Sequence, residues 1–246
     1  DGLYEGEDFV RIASQAKEIG CPAPFWFTGF SLGGQLALWG INAAQTVETW
    51  GQDLGLKASE IGGGAVICPN LDSKRSLSYL LKDPWGRHLE RTITRELKKL
   101  ARRIYEAHPD AIDPAAIKRA NSIWGFDREL VIERLGFASV EEYYEASSGL
   151  YVLPHLKKPT LLLYAANDPM FDPAILPELQ AICADNPAID LILTAYGGHV
   201  GYLSSKAGQR QAQDPDRWWA WNRVLDWIDR QVGGVDLREL TAEVRE

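Results

Sequence analysis

The stretch that decides the fold is residues 24–34, PFWFTGFSLGG, where an apolar run leads directly into a glycine-rich turn. A continuous apolar run of this kind is typical of a strand buried on both faces of a sheet. Apolar residues follow the turn at helical spacing: Leu36, Ala37, Leu38, Ile41 and Ala44. The stretch therefore predicts a strand, a tight turn and a helix in immediate succession.

The rest of the chain repeats this alternation. Further apolar runs predict strands over residues 61–68, 160–166 and 189–195. Helical patterns accompany them: a helix that ends at Gly20, and the stretches 174–184 and 214–231. Strands that alternate with helices predict an α/β fold, with a mostly parallel sheet and helices on both of its faces.

The interval 74–153 interrupts this alternation with helical patterns alone, which predicts a cap inserted into the sheet domain. The core is then expected over 1–73, which holds the glycine-rich turn, and over 154–232, with a loose tail at 233–246. One apolar stripe in the insertion is formed by Ile93, Leu97, Leu100 (or Ala101) and Ile104.

The first part of the insertion is strongly basic, with ten Lys or Arg residues against three Asp or Glu residues from Lys74 to Arg103. A solvated helix face is the simpler interpretation. The alternative is weak contact with an anionic membrane surface or with an acidic group of a substrate.

Composition and charge exclude several classes of protein. The 246 residues are 46% hydrophobic with a net charge of −8, which excludes a disordered chain and makes nucleic-acid binding a poor expectation. No apolar run is long enough for a membrane span, and we expect no signal peptide at the start of this sequence. Three scattered cysteines suit a reducing compartment, so we expect a cytoplasmic protein. Because natural chains start at Met, we also expect that a segment upstream of Asp1 has been removed.

The glycine-rich turn contains Gly29-x-Ser31-x-Gly33, the pattern of a nucleophile elbow. In such an elbow a strained turn between strand and helix exposes the serine hydroxyl above the sheet. Glycine is expected on both sides of Ser31 because a side chain there would collide with neighbouring backbone. The alternative is a Gly/Ser-rich loop that only caps the helix.

A serine nucleophile needs a base, usually histidine, and the chain has four histidines. His199 is the one that lies downstream of the last predicted strand, where a glycine turn could bring it over the sheet edge. An exposed turn histidine is the alternative. We expect His88 and His108 to be solvated in the cap and His155 to be structural.

Asp168 directly follows the third predicted strand, from which a carboxylate could orient the imidazole. It could also be an ordinary turn residue. Asp72 follows the second strand and is a competitor for the same role. The backbone N–H of Leu32, the residue after Ser31, is the expected oxyanion donor. A second donor normally comes from a loop after an earlier strand, which this sequence does not contain.

Four segments together resemble the α/β-hydrolase superfamily, and specifically the AB hydrolase 4 family of YheT-like short- and medium-chain esterases. These segments are GFSLGG at 29–34, GFASVEEYY at 136–144 with Ser147-Ser148, PTLLLYAANDP at 159–169 and GGHVGY at 197–202. The resemblance implies that Ser31, Asp168 and His199 are nucleophile, acid and base. It also implies an amino-terminal third with further strands and an oxyanion loop, so we expect residues 1–246 alone to aggregate or to be a poor catalyst.

The expected function is a serine hydrolase that cleaves small carboxylic esters through an acyl-enzyme, with no metal or organic cofactor. An acyltransferase would use the same acyl-enzyme, and an idle hydrolase fold could serve as a ligand-binding module. The expected partner is a small acyl ester rather than a nucleic acid. The sequence leaves the oligomeric state and the chain length of the substrate open.

Overall fold

A computed structural model describes residues 2–233, so most of the predicted tail at 233–246 lies outside the described residues. Its sheet has four parallel strands in the order β1-β2-β3-β4. The strands are β1 (Phe25–Phe30), β2 (Ile61–Ile67), β3 (Thr160–Ala165) and β4 (Ile189–Thr194). All four were predicted, which confirms the α/β fold with a parallel sheet.

Helices precede, separate and follow the strands. They are α1 (Gly6–Glu18), α2 (Leu32–Ala44), α3 (Val47–Trp50), α4 (Ser73–Leu80), α5 (Pro84–Ala107), α6 (Pro114–Arg119), α7 (Ile123–Phe126), α8 (Ile132–Leu135), α9 (Val140–Ala146), α10 (Gly149–Val152), α11 (Leu176–Asp185), α12 (Lys206–Ala212) and α13 (Trp219–Gln231). Short 3₁₀ segments cover Gln52–Leu54, Ala58–Glu60, Leu153–His155 and Pro173–Ile175, and a π-helical turn covers Asp127–Val131. Within the described range, no helix has the length and apolar character needed to cross a bilayer.

Burial of each strand follows its place in the sheet. Every residue of the inner strand β3 is buried, and β2 is buried at all but one position. In β1, an outer strand, only Phe27 is buried. The apolar run by itself predicted a strand covered on both faces, whereas within residues 2–233 β1 lies at the edge of the sheet and is partly exposed.

The core of the sheet unit lies between the strands and two long helices. Helix α2 packs against β1 and β2 through Leu38 and Ile41, which are fully buried. Helix α13 packs against β2 and β3, where Val224 and Trp227 are buried. The predicted helix over 214–231 is shorter in the structure, because residues before Trp219 form a loop.

The described chain separates into two compact units. The sheet unit contains residues up to Leu71, Ser148–Pro169 and the chain from Pro173. The helical unit contains Asp72–Ser147 and Met170–Asp172, so segment 148–153, at the end of the predicted insertion, lies with the sheet unit.

Helix α5 dominates the helical unit, and its buried side differs from the predicted apolar stripe. Ala101 is buried, whereas Leu100 is 53% and Ile104 37% exposed. The buried positions on this side also include two polar residues, Glu90 and Thr94. A pattern of apolar residues could not reveal a helix face that is buried partly through polar groups.

The turn between β1 and α2 depends on Gly29, where a methyl group would lie 2.2 Å from the carbonyl O of Gly33. At Gly33, no described atom outside its own neighbours lies within 4 Å of such a methyl group. The expectation that both glycines avoid a collision is therefore correct for Gly29 and wrong for Gly33.

We predict that Gly29→Ala lowers the free energy of unfolding by at least about 2 kcal/mol, because backbone atoms must move to admit the methyl group. Gly33→Ala is the matched control. It enters open space on helix α2, where alanine is about 1 kcal/mol more favourable than glycine. Chemical denaturation of both variants measures the difference, and equal losses of stability would contradict this account.

Candidate active site

Ser31 stands where β1 ends and α2 begins, with φ +55° and ψ −129°. Positive φ is rare for a residue with a side chain, so the surrounding backbone must hold this conformation. The Ser31 N–H donates to the carbonyl O of Ile67 at 3.0 Å, and its carbonyl O accepts from the N–H of Asn70 at 3.1 Å. Two backbone hydrogen bonds, to the end of β2 and to the loop that follows it, therefore stabilise this turn.

His199 lies in the turn after β4, and its imidazole Nε2 is 2.7 Å from Ser31 Oγ. Gly198 takes a left-handed φ of +65°, which allows the chain to reverse before the histidine. The Gly198 N–H donates to Asn167 Oδ1 at 3.0 Å. This contact fastens the histidine turn to the neighbouring turn after β3.

Asp168 occupies that neighbouring turn, and its Oδ2 is 2.8 Å from His199 Nδ1. Its side chain is only 2% exposed, against 15% for His199. The structure thus brings Ser31, His199 and Asp168 together in one chain of hydrogen bonds. All three belong to the sheet unit, at the carboxyl ends of β1, β4 and β3.

The other candidates have different surroundings. Asp72 accepts from the Arg75 N–H at 2.8 Å and caps α4 in the helical unit. His88 and His108 are exposed on α5 and at its end. His155 is also exposed, and its carbonyl O accepts from the Gln45 side chain at 3.2 Å.

Two residues beside Asp168 were not foreseen from the sequence as part of the site. Cys68, directly after β2, is fully buried, and its Sγ lies 3.1 Å from the hydroxyl of Tyr202. The thiol also forms a hydrogen bond with the Asp168 carboxylate, and the carbonyl O of Gly198 lies 3.7 Å from the sulfur. Because a carboxylate only accepts, the thiol donates to Asp168 and the Tyr202 hydroxyl donates to sulfur.

Burial and this carboxylate keep the thiol protonated. Desolvation, with a smaller contribution from Asp168, raises the pKa of Cys68 to about 12. Desolvation and the neighbouring Cys68 also raise the pKa of Tyr202. The Tyr202 ring stacks on Trp219 with 6.0 Å between centroids. The position of Cys68 at a strand end was the one sequence signal that could have pointed to it.

An apolar cavity of about 190 Å³ is lined by residues that are next to the site in the chain. Its lining includes Phe30 and Val200, the chain neighbours of Ser31 and His199, and also Trp218 and Trp221. Leu32, the first residue of α2, carries one of the N–H groups for which a helix start offers no intrahelical acceptor. Among residues 2–233, no group of His, Cys, Asp and Glu side chains has the arrangement of a metal site.

Comparison with known proteins gives several relatives of this chain. It is 54% identical over 235 residues to a Synechocystis sp. protein named "Putative esterase slr0264", covering 94% of this chain and 64% of that protein. It is 29% identical over 209 residues to the Escherichia coli protein named "Putative esterase YheT", covering 84% and 55%. It is 27% identical over 197 residues to the mouse protein named "Phospholipase ABHD3", covering 80% and 45%.

No model of a protein family matches the chain. The chain spans less than two thirds of the length of each of these three relatives. Its likeness to them extends over most of its own length. The chain is therefore similar to YheT-type proteins, which is the likeness that its motifs implied.

Proposed function

We propose that the protein is a serine hydrolase that cleaves small carboxylic esters. The observation that carries the proposal is the hydrogen-bonded chain from Ser31 Oγ through His199 to the buried Asp168 carboxylate, with distances of 2.7 and 2.8 Å. This order of groups is that of a nucleophile, a general base and an orienting acid. The esterase and phospholipase names of its relatives support the same reaction type.

In the first half of the reaction, Ser31 Oγ attacks the acyl carbonyl carbon while His199 Nε2 takes its proton. Asp168 accepts from His199 Nδ1, which holds the tautomer that leaves Nε2 free to act as the base. The Leu32 N–H donates to the oxyanion. The protonated His199 then gives its proton to the departing alcohol, which leaves the acyl group on Ser31.

In the second half, water attacks the acyl carbonyl carbon while His199 Nε2 takes its proton. The bond from that carbon to Ser31 Oγ then breaks, His199 returns the proton to Ser31 Oγ, and the carboxylic acid leaves. The apolar cavity beside Ser31 supports an aliphatic acyl group. At about 190 Å³ it is smaller than the roughly 300–1,000 Å³ of pockets that hold drug-sized ligands. This size favours acyl chains of short to medium length.

Cys68 and Tyr202 act in this proposal as positioning residues for Asp168. A buried carboxylate needs donors for the lone pairs that do not face its main partner. The Cys68 thiol supplies one donor, and the Tyr202 hydroxyl, which donates to the sulfur, holds the thiol in turn. The acid is therefore held by a second donor besides His199.

We predict that Ser31→Ala in the complete protein abolishes labelling by a fluorophosphonate probe and lowers kcat for a short-chain p-nitrophenyl ester by roughly 10⁶-fold. The probe reacts only with a serine whose hydroxyl is activated. Labelling is read by gel fluorescence and by mass spectrometry of the modified peptide. If the wild-type protein is not labelled, or is labelled elsewhere, the proposed function fails.

We predict that Asp168→Asn lowers kcat by about 10⁴-fold, because an amide favours the wrong tautomer of His199. Asp72→Asn is the matched control, since asparagine caps a helix as well as aspartate does. Its kcat should equal that of the wild type. Steady-state kinetics decide between the two acids: a loss in Asp72→Asn with retained activity in Asp168→Asn would reverse the assignment.

We predict that Cys68→Ala lowers kcat about tenfold with KM unchanged, since it removes a hydrogen bond to a charged group. Cys68→Ser, which keeps a donor, should restore most of this loss. Cys183→Ala removes another buried thiol, on α11, and should leave kcat unchanged. Equal kcat values for the Ala and Ser variants at position 68 would exclude the positioning role.

A further inference from the structure

The longest helix, α5, carries a line of exposed cations that the proposed reaction does not use. We call this set the basic stripe: Arg91, Arg95, Lys99, Arg102 and Arg103, all exposed. Steps of three or four residues return to the same side of a helix with 3.6 residues per turn. The stripe therefore runs along one face of α5 for about 18 Å.

The charges of the stripe are largely uncompensated. Lys99 pairs with Glu96 at 2.7 Å, but no ion pair joins the four arginines to an acid within residues 2–233. Elsewhere in the same unit, by contrast, Arg119 pairs with both Glu129 and Asp113.

The acidic residues of α5 offset only part of this charge, since Glu96 and Glu106 are exposed on the side of the stripe. The helix has seven Lys or Arg residues and three Glu residues. One of these acids, Glu90, is buried and accepts from the Ile123 N–H at 2.7 Å instead of facing the stripe. The exposed side of α5 is therefore a concentrated cationic surface on a protein with a net charge of −8.

Exposed apolar side chains border the stripe on one side. Trp85 is 57% exposed, Leu100 53% and Ile104 37%. By helical geometry Leu100 and Ile104 lie beyond Arg103 on one flank of the helix, and Trp85, in the first turn, shares the angular position of Arg103. A basic face beside exposed Trp and aliphatic residues is the pattern of a helix that lies in the interface of a bilayer.

We propose that the basic stripe of α5 binds the anionic surface of a lipid bilayer, with the helix parallel to the membrane plane. At physiological salt, charges more than about 8–10 Å away are largely screened, so lipid headgroups meet the local cations rather than the net charge. The apolar border favours a bilayer over a nucleic acid, because it can enter the headgroup region. This proposal does not depend on the reaction at Ser31.

Vesicle flotation of the complete protein tests the proposal, with phosphatidylcholine vesicles that contain or lack phosphatidylserine. Each cation near an anionic surface contributes about fivefold in affinity. The triple variant Arg91→Ala, Arg95→Ala, Arg102→Ala should therefore bind the anionic vesicles about 100-fold more weakly. The wild type should favour the anionic vesicles and lose binding as salt is raised.

The matched control removes three exposed cations elsewhere, Lys206, Arg210 and Arg230, and so makes the same change in net charge. It should bind like the wild type, and both variants should keep the wild-type thermal unfolding curve, since only exposed side chains change. Equal loss in the two variants, or equal wild-type binding to both kinds of vesicle, overturns the proposal. Binding of the wild type to a single-stranded RNA but not to anionic vesicles overturns it in favour of a nucleic acid.

Discussion

The hydrogen bond between Asp168 and His199 is the interaction on which the arrangement of the site depends. It joins the turns after two neighbouring strands, β3 and β4, whose parallel pairing ends at Ala165 and Thr194. Placing the Asp168 carboxylate out of contact with water costs several kcal/mol unless partners replace the solvent. His199 and Cys68 are such partners, so the fold tolerates the buried acid only while both turns keep their places.

Parallel pairing explains why three distant parts of the chain meet at all. Phe30 pairs with Ile67, and β2 pairs with β3 in turn, so the strands end at one edge of the sheet. Ser31, Cys68 and Asp168 each follow a strand and therefore arrive at that edge. The site therefore does not depend on long flexible loops, because the ends of the strands already bring its groups close together.

Much of this could be predicted from residue patterns, because each strand is a continuous apolar run and each chemical group comes directly after one. The failures have a common physical cause, since periodicity reports apolar character and not what lies opposite a residue. The open space at Gly33, the partial exposure of β1 and the exposure of Leu100 and Ile104 all depend on neighbours from other parts of the chain. Cys68 escaped notice for the same reason: its partners lie 100 or more residues away in the sequence.

The buried thiol at Cys68 also bears on how the protein withstands oxidants. Peroxides attack the thiolate rather than the thiol, and because burial raises the pKa of Cys68 to about 12, this thiol is protonated at pH 7. Cys21, by contrast, is exposed in the loop before β1. Mild oxidation therefore consumes Cys21 first and leaves the support of Asp168 intact, so a sulfur atom beside the acid does not make the site redox-sensitive.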